Sequence, residues 1–142
     1  MRDINWLEIG LTESQASVAD SFSVGSEHAS LAHELAIWQQ WVVEVERGAN
    51  WVLVEVDSAC EARNSLDEML GLLPESIADV VFDWVDGLDM RYRDATVFTP
   101  DGFGRGSESR AGSRDWWWSR IPIRNRPRLF LRAELPASEF RG

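Results

Sequence analysis

A chain of 142 residues, 44% of them hydrophobic, is the size of one domain and can bury a core without disulfide or metal staples. No apolar run is long enough to cross a bilayer. The first residues, MRDINWLEIG, carry charges where an export signal needs a long apolar stretch, so a cytoplasmic protein without a membrane partner is expected. A net charge of −10 argues against nucleic acid, because a binder needs a basic footprint to displace phosphate counterions.

The charge is unevenly placed. Residues 1–90 hold 18 Asp/Glu and 3 Arg, residues 91–142 hold 6 and 11, and lysine is absent. The basic part should therefore lie against the acidic part, within one subunit or across a symmetric dimer. The lone Cys60 has no partner for an intramolecular disulfide and reads as a small packed side chain. Size and composition suit a bacterial accessory protein of the kind carried on mobile genes.

In chain order, Ile4 to Ile9 is a short apolar segment, a strand or a tether that takes Trp6 into the core. Thr12 with Gln15 has the form of a capping box and predicts a helix from about Glu13 to Asp20. Ser26 is a plausible N-cap for a helix in which Leu31, Leu35 and Trp38 recur at spacings of four and three. Beyond Trp38 two readings compete. Extending the helix adds Val42 and Val45 to its stripe and ends it at Gly48. Ending it near Gln40 makes Trp41 to Glu46 and Trp51 to Val56 a hairpin, and the strand preference of the valines favours this second reading.

Asp57 or Ser58 can cap a further helix with Ala62, Leu66, Met69, Leu70 and Leu73 on its apolar stripe, ended or bent by Gly71 and Pro74. Residues 75–92 fit an amphipathic helix through Ile77, Val80, Val81, Trp84, Val85 and Leu88. They also contain Asp86-Gly87, a strong hairpin signal, and both readings stand. Met90 to Phe98 alternates as a strand. Residues 99–113 form a long Gly/Ser-rich loop with four of the ten glycines, the length at which loops tend to be functional or disordered. Arg114 to Leu135 reads as two strands around a turn at Asn125 to Pro127, with Trp116, Trp118 and Arg120 sharing one face of the first. Together these elements predict one α+β domain, residues 1–142, with an antiparallel sheet of four to six strands and two or three helices on one face.

No motif carries a metal, cofactor or phosphate. His28 and His33 are five apart and point about 140° away from each other on a helix, Asp83, Asp86 and Asp89 lack calcium-loop spacing, and GFGRG at 102–106 lacks the rest of a phosphate fingerprint. Recognition through aromatics and arginine is the chemistry the sequence favours, with Trp116, Trp118, Arg120, Arg124, Arg126 and Arg128 as the binding residues. The expected function is a non-catalytic interaction protein, homodimeric through that surface. Within that class, an acidic inhibitor of a basic protein partner fits the charge of residues 1–90. A small-molecule binder with a Trp-lined cavity is the alternative, and an enzyme using one of Asp83, Asp86 or Asp89 as general base ranks below it.

Overall fold

The computed structural model describes residues 3–24, 29–48, 51, 53–99 and 116–123. Their order is α1 (Trp6–Ile9), α2 (Glu13–Ser21), β1 (Ser23–Val24), β2 (Ala29–Ser30), α3 (Leu31–Arg47), α4 (Leu53–Leu70), α5 (Glu75–Asp94), β3 (Thr96–Phe98), a 3-10 turn (Trp116–Ser119) and β4 (Arg120–Pro122). Of the described residues 74% are helical. The predicted four-to-six-stranded sheet is not among them: the strands form two antiparallel pairs, β1 with β2 and β3 with β4. The α+β expectation is corrected to a helical body with two short ribbons.

Local chemistry explains where each helix starts and stops. Asn5 caps the single turn of α1, and the indole of Trp6 goes into the core while its Nε1 donates to Asp20 at 3.1 Å. Thr12 and Gln15 close the predicted capping box, each side chain taking the other residue's backbone N–H, and α2 follows. Ser30 takes the His33 N–H to begin α3; the proposed Ser26 cap lies outside the described residues. α3 then runs without a break to Gly48, which stands in the left-handed region at φ 72° and returns its N–H to Glu44 and Val45. Residues 41–56 are thus not a hairpin. The stripe Leu31, Leu35, Trp38, Val42, Val45 is buried along its length, and packing of that stripe outweighs the strand preference of valine.

The run WVLVEV is likewise no strand. Trp51 is buried edge-on to Trp41, and α4 begins at Leu53, which puts Asp57 and Ser58 in its second turn instead of at its cap. Gly71 and Pro74 do separate α4 from α5. α5 takes the helical reading of 75–92 and extends it through Asp94, so the strand expected from Met90 shrinks to Thr96–Phe98.

The core lies between α3, α4 and α5. Leu35, Trp38 and Val42 meet Val56, Cys60 and Leu66 of α4 and Val81, Val85 and Tyr92 of α5, all buried. Trp117, Trp118 and Ile121 close one side of it. β4 reaches them by pairing with β3 in the register Thr96 to Pro122, Val97 to Ile121 and Phe98 to Arg120. No helix among the described residues is long and apolar enough to cross a membrane.

Candidate functional site

Two features of this body invite a functional reading: a buried polar cluster under the tryptophan run and an open cleft between α3 and α4.

The cluster is built from three helices. Arg63 on α4 and Asp89 on α5 are 4% and 5% exposed and meet as a fork: Nε donates to Oδ1 at 3.0 Å and Nη2 to Oδ2 at 2.7 Å. Two parallel charge-assisted bonds make this the strongest geometry open to such a pair. From α3, the Trp38 indole N–H adds a bond to the same Oδ1 at 3.1 Å. The Arg63 guanidinium also lies 4.3 Å from the ring centre of Trp117, a cation–π contact. One residue further along α4, the Asn64 carbonyl oxygen accepts the indole N–H of Trp117 at 2.8 Å and that of Trp118 at 3.3 Å. The Tyr92 hydroxyl donates to the Trp117 carbonyl at 3.3 Å, and its ring packs 4.9 Å from Trp38. Burial pushes the Tyr92 phenol well above its usual range, so it stays protonated and keeps donating.

These contacts correct the expected geometry of the tryptophan run. Residues 116–119 form a 3-10 turn, not an extended strand, so their rings do not alternate across a sheet. Trp117 and Trp118 are both 3% exposed. Trp116 is half-buried under Arg93, whose guanidinium sits 4.0 Å from the ring centre. Arg120 is engaged on the ribbon: Nε donates to the Thr96 hydroxyl at 2.8 Å and Nη2 to the Thr96 carbonyl at 2.9 Å. Of the six predicted binding residues, then, Trp118 belongs to the core, Arg120 clamps β3 and Trp116 reaches solvent in part. Arg124, Arg126 and Arg128 lie outside the described residues, as does all but the first residue of the predicted loop 99–113.

The carboxylates proposed for proton transfer also separate. Asp83 and Asp86 are exposed on α5, while Asp89 is buried and held by Arg63 and Trp38. Among the described residues no group of three or more His, Cys, Asp or Glu is placed to hold a metal.

The second feature escaped the sequence reading because it needs α3 and α4 side by side. Ile37 and Trp41 from α3 and Val54 and Ala59 from α4 wall a cleft of about 240 Å³, with Glu44 and Glu55 at its rim. Ile37 and Trp41 stand four apart on α3, and on α4 Val54 with Ser58 and Glu55 with Ala59 are likewise four apart, spacings that put each pair on one face of its helix. Val54 is 68% exposed, an apolar wall left uncovered by described residues. The rim charge continues along the same helix pair, where Glu34 is pushed above its ordinary value by burial and by the nearby charge of Glu61, with His33 opposing. Among the described residues no basic side chain lines the cleft. Its volume is below the roughly 300–1,000 Å³ of pockets that enclose a small-molecule ligand, and its size suits one or two side chains of a protein partner. No family model matches this chain, and no curated protein or solved structure matches it.

Proposed function

We propose that this chain is a non-catalytic binding protein that engages a cationic protein partner through its acidic helices, as an inhibitor of a basic enzyme would. The observation that carries the reading is the state of its charges. The described residues include 18 Asp/Glu and 5 Arg, and four of those arginines are turned inward or onto neighbours: Arg63 on Asp89, Arg91 on Glu46, Arg93 on Trp116 and Arg120 on Thr96. Among the described residues the acidic groups of α4 and α5 are left as the dominant surface charge, which steers a basic partner to encounter and sets register on docking.

The test is a comparison of two panels, basic proteins of pI above about 9 and neutral proteins of similar size, titrated against the full chain by calorimetry at low salt and again near 0.15 M, where surface charges are screened beyond about 8 Å. Selective binding of basic proteins that weakens with salt supports the reading. Equal affinity for both panels, or binding to neither, removes it.

A further inference from the structure

The geometry points to the α3–α4 cleft as the docking site for an arginine-bearing segment of that cationic partner, with an apolar side chain beside the arginine as its anchor. This rests on the reading just proposed and narrows it to one place. Three observations favour this occupant. The walls from Ile37, Trp41, Val54 and Ala59 accept apolar surface. The two carboxylates at the rim, Glu44 of α3 and Glu55 of α4, stand on the two helices that wall the cleft, and among the described residues no cation lines it, so a guanidinium laid across the apolar floor meets negative charge from both helices. Glu44 holds one hydrogen bond, from Gln40 at 3.2 Å, and an ionised carboxylate accepts several more.

A second copy of this chain is the weaker occupant. A two-fold axis through the cleft sets the same patch against itself and brings Glu44 and Glu55 toward their own counterparts, where like charges repel.

The experiment uses the full-length chain and a capped, dye-labelled nine-residue peptide of alternating glycine and arginine with one central leucine, read by fluorescence anisotropy. Glu44→Gln with Glu55→Gln should weaken binding about ten-fold or more, the worth of one or two charge-assisted contacts. Asp3→Asn with Glu8→Gln changes net charge equally at exposed positions outside α3, α4 and α5 and should leave affinity within about two-fold. Ser58→Arg, an exposed position that places the chain's own guanidinium in the cleft, should abolish binding, and replacing the peptide's leucine by glycine should weaken it. Equal losses in the two charge-neutralised pairs would overturn the assignment while leaving the general preference for basic partners standing. Two other results would also overturn it: a native dimer that Ser58→Arg dissociates, which assigns the cleft to a second copy, or peptide binding that emerges only after Arg124, Arg126 and Arg128 are replaced by serine, which assigns it to the chain's own arginines. Failure of the basic-protein panel is a separate result and removes the parent reading.

Discussion

Arg63 is the only basic residue between Gly48 and Met90, and it stands on the buried stripe of α4 with Asp89 as its counter-ion. Asp89→Asn leaves that guanidinium in the core with the exposed Asp67, 3.6 Å away, as its remaining counter-charge among the described residues, and breaking a buried pair from one side costs about 3–5 kcal/mol. Urea unfolding should register this loss, and the double change Arg63→Met with Asp89→Leu should recover much of it, since it removes both desolvated charges. A residue lone in sign on an apolar stripe was the available signal for this cluster, though its partner 26 positions away was not legible. Glu34 gives a prediction of opposite sense. Burial, reinforced by Glu61, raises its folded pKa, so the folded state holds the proton more tightly than the unfolded chain. Its favourable contribution is complete below the unfolded value, near pH 4, and is lost as pH rises through the raised folded value. Glu34→Gln should therefore raise the melting temperature at pH 7 and confer no gain below about pH 4; a gain of equal size at both would contradict the burial effect.

At the level of the elements, what could be read was the local grammar. The capping box at Thr12 and the break at Gly71 to Pro74 involve residues within a few positions of each other, and their chemistry is complete without the rest of the chain. What could not be read was any choice decided by packing. Val42, Val43 and Val45 prefer strands by a fraction of a kcal/mol each, while burying the helical stripe they complete is worth roughly 1.5–3 kcal/mol for each large side chain. Asp86-Gly87 misled in the same way: a turn dipeptide lies inside a helix whose apolar residues recur at helical spacing. Two glycine substitutions separate these roles. Gly87 sits mid-helix with open space where a Cβ would go, so Gly87→Ala should stabilise by about 0.5–1 kcal/mol. Gly48 holds a left-handed conformation, so Gly48→Ala should destabilise by about 1 kcal/mol. Thermal melts of the two proteins should move in opposite directions.

On the scale of the whole molecule, Arg91 with Glu46 joins the basic part distinguished in the sequence to the acidic part on the surface, while Arg120 bonds to Thr96 and Arg93 within the basic part itself. The tryptophan run was expected to need cover on more than one side. The supposition that it was extended failed because the 3-10 turn lets Trp117 and Trp118 face the same acceptor, Asn64, which an alternating backbone forbids. Consecutive indoles on one side of the chain make this segment a lid of the core.

That lid has a consequence for the order in which the molecule assembles. The α3–α4 pair joins residues close in sequence, whereas the bond from Trp117 to Asn64 spans 53 positions, and the chain entropy of closing so large a ring is lost before any of its contacts form. Folding should therefore nucleate in the helices and finish when the indoles dock. In stopped-flow chevrons, Val42→Ala should slow refolding, while Ile121→Ala should leave the refolding rate nearly unchanged and accelerate unfolding. The last segment to arrive would then also be the first to leave, and transient opening of the native protein would begin by baring Trp38, Arg63 and Tyr92 to water.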